Sequence, residues 1–374
     1  AFELVKYQGR YGWTNRDDLR KAHTKVLDSN PQRNNVYKWA VSGWQDIWEQ
    51  GRAVPSIIEG FELAKAFGND PKSAHPSGDR ETAYLIRKYG LTREMLPTSA
   101  LTERDVWAAL LEKMPYTAML RNLGNMSKVG LVKPLSDASM TVAQRLADSD
   151  LIRKARVHPI AILLASKTYS QGHGIKGKGE WNADARVVDA LNEAFYLAFR
   201  HLEPTRKRIL IAIDCSGSMG AGVSGFPITA AEGAAAMALS IAKVEPNFHT
   251  ICFDNAVKKV PTLTPSMRLD EVLRLTSRIS ASGTDCAVPM VYALEHGIQA
   301  DAFVIITDGE TWAGKIHPSQ ALTKYRQKTG IPAKLITIGM TATNMTVGDP
   351  NDAGTLSVAG FDATVPQLIQ EFIR

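Results

Sequence analysis

The sequence predicts a multidomain chain of the α plus α/β class, and three observations carry that reading. Residues 1 to about 200 hold successive helical patterns separated by Pro, Gly and Asn breaks, with no convincing strand. From about Arg206 onward, apolar runs of strand length alternate with amphipathic helical stretches. Two of those runs close on a carboxylate, at Asp214 and Asp308, and open parallel sheets gather their ligands beyond the carboxyl ends of strands.

The first half opens on Phe2-Glu-Leu-Val-Lys6, which reads as the middle of a helix. Helical spacing then predicts elements over residues 36–50, 55–67, 83–89, 106–114, 142–156, 159–169 and 183–200. Val106, Trp107, Leu110, Leu111 and Met114 show the logic most clearly, since their spacing draws one apolar stripe down a helix. Pro115 lacks an amide hydrogen and suits the first turn of the following helix. Trp44 and Trp48, four residues apart, are expected to share a buried face. Short helices joined by tight turns point to a HEAT-like helical-repeat array, in which neighbours cover each other's apolar faces. No sequence period accompanies them, so the repeat is inferred from helix count.

In the second half, strands are expected over 209–213, 248–253, 303–307 and 335–338, with helices over 228–244, 269–279, 290–296, 319–328 and 365–373. Strands that are apolar at every position are buried on both faces, which implies a mostly parallel sheet between helical layers. The expected domains are residues 1–200 and 205–374.

With 374 residues, 44% hydrophobic and 22% charged, the chain has ample material for two cores. Residues 1–200 carry 29 Lys and Arg against 22 Asp and Glu, a balance of +7, and residues 201–374 carry 15 against 16, a balance of −1. The basic excess therefore belongs to the helical half, a hint toward polyanions. Three cysteines, Cys215, Cys252 and Cys286, are an odd number and read as buried free thiols in a reducing compartment. No apolar stretch has the length to span a bilayer and no leader pattern opens the chain, so the expectation is a cytoplasmic protein with no membrane partner.

Asp214-Cys-Ser216-Gly-Ser218 follows an apolar run and places one carboxylate and two hydroxyls at a strand end. Ser282-Gly-Thr284-Asp285 reads as a loop, and Asp308 closes the run from Phe303. Hard oxygen ligands with few charges suit Mg²⁺, although an Asp-x-Ser-x-Ser pattern alone also serves as a helix cap. Together these segments resemble the metal-ion-dependent adhesion site of von Willebrand factor A domains. The resemblance implies direct metal ligation by Ser216, Ser218 and Thr284, outer roles for Asp214 and Asp308, and one open position for a partner's carboxylate.

A second resemblance runs through the chain. Lys6-Tyr-Gln-Gly-Arg10-Tyr-Gly-Trp13, Asp18-Leu-Arg20-Lys-Ala-His23, Met114-Pro-Tyr-Thr-Ala-Met-Leu-Arg121-Asn-Leu-Gly124 and Lys154-Ala-Arg156-Val-His158-Pro159 resemble the TROVE module of the Ro autoantigen family. Asp214 to Met219, Gly283-Thr-Asp-Cys286, Thr307-Asp308-Gly-Glu-Thr311 and Gly360-Phe-Asp362 continue the likeness. It implies a helical-repeat ring with a basic inner surface followed by the adhesion-type domain, and an RNA-binding component of small ribonucleoproteins. The implied partners are Y-like RNA and the 3′ ends of misfolded noncoding RNAs, with a 3′ exonuclease or another protein at the metal site. Family members carry a long helical segment ahead of the counterpart of Lys6, so the expectation here is an N-terminally truncated module whose ring does not close alone.

The family's outer RNA contacts fall on Lys6, Arg10 and His23. Lys and Arg there can neutralise phosphates, and Arg20, Lys21 and Lys25 enlarge the patch; the bland alternative is a solvated helix pair over a buried Trp13 and Leu19. Arg121, the cluster Arg153, Lys154 and Arg156, and His173 with Lys176 and Lys178 are weaker candidates, and His158 reads as structural. A Mg²⁺-dependent protein-interaction adaptor working without RNA is the competing function. An enzyme is not expected, because the chain has no Asp-x-Asp nucleophile pair, phosphate-cradling lysine loop or Ser/His/Asp arrangement.

Overall fold

A computed structural model of the chain describes residues 1–27, 29–67, 81–175, 179–277, 283–309, 314–341, 347–362 and 364–374. The chain forms two compact units, Ala1–Val142 and Ala143–Arg374, and the division falls inside helix Asp137–Leu146.

In the first unit, helices Pro31–Ser42, Ser56–Phe67, Glu81–Tyr89, Arg104–Glu112 and Tyr116–Lys128 carry most of the core. The stripe expected from sequence is buried throughout: Val106 and Trp107 are 1% exposed, Leu110 5%, Leu111 6% and Met114 6%. The element expected over residues 36–50 is two helices, Pro31–Ser42 and Trp44–Glu49, because Gly43 at φ +95° ends the first. That break changes the helical phase. Ile47 becomes the buried residue of the short helix, and Trp48, expected in the core, is 69% exposed. Trp39 takes the inner position instead and its Nε1 donates to Glu62 Oε1 at 2.9 Å.

A small antiparallel hairpin of β1 (Gly9–Arg10) and β2 (Trp13–Thr14) also corrects the strand-free expectation. Its turn places Tyr11 at φ 53° and Gly12 at φ 81°, the left-handed pair that a two-residue hairpin requires. Trp13 is 51% exposed and Leu19 half-buried, so neither is the buried residue expected beneath the patch.

The second unit begins with more helices. The single element expected over 142–156 is divided, because the Asp148 carboxylate accepts the amides of Asp150 and Leu151 at 2.8 and 3.0 Å and starts a new helix, Ser149–Ala155. Helices Pro159–Ser170 and Ala185–Ala198 follow and pack against one another.

Beyond them lies a six-stranded sheet of β3 (Ile209–Asp214), β4 (Phe248–Phe253), β5 (Val257–Lys259), β6 (Ala302–Thr307), β7 (Lys334–Gly339) and β8 (Thr355–Ala359), ordered β5-β4-β3-β6-β7-β8. Every pairing is parallel except that of the edge strand β5 with β4. Leu210 and Ala212 face a core with Phe303, Ile305, Met290 and Tyr325. Ile209, of opposite parity, faces Met237 of helix Ala230–Val244 and Ile369 of helix Val365–Ile373 across a small cavity of about 50 Å³ that His158 and Leu202 also line.

The helices ahead of the sheet are tied to it at several points. Lys167 Nζ donates to Glu232 Oε1 at 2.8 Å, and buried Glu245 accepts the amides of Thr205 and Arg206 at 2.8 and 3.0 Å. Tyr196 lies between Lys243 Nζ at 5.3 Å and the Arg268 guanidinium at 4.8 Å, while its hydroxyl accepts the Leu269 amide at 3.1 Å. Among the described residues, no helix is long and apolar enough to cross a membrane.

Candidate metal centre and nucleic-acid interface

β3 and β6 are central neighbours from which the chain departs in opposite directions, toward β4 and toward β7. The gap above their carboxyl ends is the switch point where such sheets bind ligands. Asp214, the last residue of β3, is 1% exposed. Its Oδ1 accepts the Ser216 amide at 2.8 Å, and its Oδ2 accepts the hydroxyls of Thr307 at 2.7 Å and Thr284 at 3.2 Å. Ser216 Oγ lies 3.0 Å from Ser218 Oγ.

The structure therefore brings Asp214, Ser216, Ser218 and Thr284 together. Burial holds the Asp214 carboxyl above its ordinary range against the pull of the Ser216 and Thr307 donors, and Asp308 nearby pushes the same way as burial. Ser282, Glu310 and Thr311 lie outside the described residues.

Thr307 escapes the sequence reading because it sits inside the apolar run it terminates, yet it holds Asp214 at the shorter distance. Thr229 and Glu232 were also missed, though Thr-x-x-Glu ahead of an apolar helix is a readable capping box. The two side chains cap helix Ala230–Val244 reciprocally. Burial raises the Glu232 pKa, but the Lys167 bond and the Thr229 amide outweigh it and leave the carboxyl below its usual range. A cleft of about 750 Å³ opens here, lined by Asp214, Ser216, Thr229, Glu232, Arg274 and Ser277.

Among the described residues, no three His, Cys, Asp or Glu side chains gather as a metal cage. The donors that do converge are one buried carboxylate and neighbouring hydroxyls, an all-oxygen set that fits Mg²⁺ and not a thiolate- or imidazole-seeking ion. Cys215 and Cys252 flank the site as buried thiols whose pKa burial pushes up to about 12.

The basic candidates that line clefts are divided between two of them. Lys6 ends helix Phe2–Lys6 with Nζ over the Phe2 and Tyr7 rings at 5.6 and 5.2 Å, and it lines a cleft with Arg93, Lys113 and Arg121. Arg20 and Lys21 lie exposed on helix Asn15–Lys21, and His23 follows at φ 45°. Lys25 lines a different cleft with Tyr37, Lys38 and Arg52. The side chain of Arg10, and Lys176 and Lys178, lie outside the described residues. Arg153 is paired with Asp150 at 2.9 Å. The His158 Nδ1 accepts the Ile160 amide at 3.2 Å as a helix cap, which bears out a structural role.

A helical part followed by an open, mostly parallel α/β domain with a hydroxyl-rich carboxylate cleft at its switch point defines the von Willebrand factor A class of two-part protein. Residues 208–373 match the family model of the Ro60 vWA domain, and residues 85–168 match that of the TROVE domain. Over its whole length the chain is 39% identical to the RNA-binding protein RO60 of Deinococcus radiodurans, spanning 68% of it. It is 34% identical to the RNA-binding protein RO60 of Caenorhabditis elegans, spanning 63% of it. The crystal structure of the Deinococcus radiodurans RO (RSR) protein matches all of this chain with a TM-score of 0.88 at 38% identity, and 73% of that structure is covered. The chain belongs to the Ro60 family, and it spans about two thirds of the length of these two named relatives.

Proposed function

We propose that this chain binds noncoding RNA as a component of a small ribonucleoprotein, with Y-like RNA and the 3′ ends of misfolded RNAs as its ligands in scaffolding or quality control. The observation that carries the reading is whole-length similarity to two proteins named as RNA-binding. The basic excess of residues 1–200, at 29 cations against 22 carboxylates, supports it. In this reading residues 1–200 carry the RNA, and residues 205–374 carry Mg²⁺ on Ser216, Ser218 and Thr284 with Asp214 and Asp308 behind them. The ion supplies a Lewis-acidic position for a protein carboxylate, such as one on a 3′ exonuclease. Asp214 orients the Ser216 amide and two threonine hydroxyls, which keeps the hydroxyl oxygens gathered.

Affinity for a structured RNA with a single-stranded 3′ tail, measured across a salt series, tests the proposal. Counterion release predicts a steep loss of affinity with salt, shallower after Lys6→Ala/Arg20→Ala/Lys25→Ala. A second reading, a Mg²⁺-dependent adaptor without RNA, draws on the cleft at Asp214. It gains if folded wild-type protein ignores RNA at low salt yet captures an acidic protein partner in a Mg²⁺- and Asp214-dependent manner.

A further inference from the structure

Thr307 is the last residue of β6 and is fully buried. Its backbone is pinned to the next strand, where it pairs with Gly339 and its carbonyl accepts the Met340 amide at 2.8 Å. The Thr307 hydroxyl donates to Asp214 Oδ2 at 2.7 Å, and the Gly309 amide approaches Thr307 Oγ1 at 3.4 Å. Gly309 stands at φ 132°, a state that suits glycine, which lets the amide that follows Asp308 point back to Thr307. One hydroxyl therefore touches both carboxylate-bearing segments of the candidate centre, the end of β3 and the turn after β6.

The other donor to Asp214 Oδ2, Thr284, sits on a loop and stands farther off, at 3.2 Å. With the Ser216 amide on Oδ1 at 2.8 Å, these three donors take most of the roughly four acceptor positions of a carboxylate. The final torsion of an aspartate is soft, so the donors around Asp214 set its rotation. The shortest of the three contacts comes from the most firmly mounted group, since β6 is paired with a strand on each side. A hydroxyl that gives its hydrogen to a carboxylate can meet a cation only through its oxygen lone pairs, and the carboxylate makes that oxygen a better ligand. That is the state a metal-ligating threonine needs.

We propose that Thr307 is a positioning residue for the metal site: by fixing the rotation of Asp214 it makes this carboxylate take the Thr284 hydrogen and leaves the Thr284 oxygen to the ion. The inference rests on the Mg²⁺ reading above and adds a residue that binds no ion itself yet sets how tightly one is held. Thr337 supplies the contrast. It is as deeply buried, on β7, and its hydroxyl has no partner among the described residues.

Titration calorimetry of the full chain measures Mg²⁺ affinity for wild type, Thr307→Val, Thr307→Ser and Thr337→Val, and urea midpoints are taken without Mg²⁺. Thr307→Val keeps the shape and removes the donor, and it is expected to weaken Mg²⁺ about 10- to 100-fold, the range for losing a hydrogen bond that supports a metal ligand. Thr307→Ser restores the hydroxyl and is expected to bind as wild type does, as is Thr337→Val. A role in the fold alone would lower the metal-free urea midpoint of Thr307→Val and leave the Mg²⁺ affinity of the folded protein unchanged, and that result overturns the inference. Equal losses in Thr307→Val and Thr307→Ser overturn it too, because the hydroxyl is then not the cause. Should Thr307→Val not fold, Thr307→Cys takes its place, with a smaller loss expected from its weakly donating thiol and wild-type affinity again overturning the inference. No Mg²⁺ binding by folded wild type overturns the metal reading itself, and this inference with it.

Discussion

Acid should loosen the second unit through one histidine. His158 caps helix Pro159–Ser170 with an unprotonated Nδ1, accepting the Ile160 amide at 3.2 Å, and it lines the small cavity with Ile209 and Met237. Burial lowers its pKa from 6.5 to about 4. Protonation would also replace the acceptor with a second N–H and place a cation at the positive end of a helix dipole.

Between pH 6.5 and 4 the unfolded chain holds this proton and the folded chain does not, so stability is full above the unfolded pKa and falls as pH drops toward the folded one. Linkage gives a loss of about 2 kcal/mol by pH 5 and about 3 kcal/mol by pH 4. His158→Asn keeps a capping acceptor and removes the titration. Hydrogen exchange of peptides covering 159–170 and 209–214, followed from pH 7.5 to 4 with correction for intrinsic rates, should show protection falling in wild type by that margin more than in His158→Asn. Parallel pH profiles in the two proteins would refute the reasoning.

Three further outcomes are expected. Glu245→Ala strands two amides, those of Thr205 and Arg206, and should cost about 2–4 kcal/mol, seen as a lower melting temperature of the second unit. Mg²⁺ should raise that melting temperature in proportion to the logarithm of its concentration once above the Kd, about 2.7 kcal/mol at a hundredfold excess, and Asp214→Asn should abolish the rise. Gly60→Ala drives a methyl into the Tyr89 ring where helices Ser56–Phe67 and Glu81–Tyr89 cross. Chemical denaturation should find the first unit weaker by about 1–3 kcal/mol.

Much of this architecture was legible because burial on both faces writes itself as unbroken apolar runs. The strand over 248–253 matches its expectation to the residue, and the helices of the second half match to within about two, except that expected over 269–279, which ends at Thr276. β5 and β8 were not read. Val257–Lys259 is a three-residue edge, and no residue of Thr355–Ala359 is fully buried, so neither makes an apolar run. Gly43 hid a helix break because a lone glycine is tolerated within a helical pattern, and Trp48 was misplaced as a result.

At the candidate centre, Asp214, Ser216 and Ser218 are legible from strand-end chemistry, and Thr284, on a loop, through the resemblance to the adhesion site. Thr307 is not, since a threonine in a strand announces packing and not the hydrogen bond it makes. The scatter of Lys6 and Lys25 into separate clefts was equally invisible, because closeness in sequence does not fix which wall of a helical array a side chain lines.

The grip of Glu245 on Thr205 and Arg206, and the seating of Tyr196 between Lys243 and Arg268, bear on how such a chain can be inherited. The two family matches leave residues 169–207 between them, as though a spacer could be exchanged there. Within that stretch Tyr196, Thr205 and Arg206 are bonded to or packed on residues of the sheet-bearing half. A genetic shuffle at that seam would leave Glu245, Lys243 and Arg268 without these partners, so a cut that keeps the sheet whole has to fall ahead of the helix that carries Tyr196.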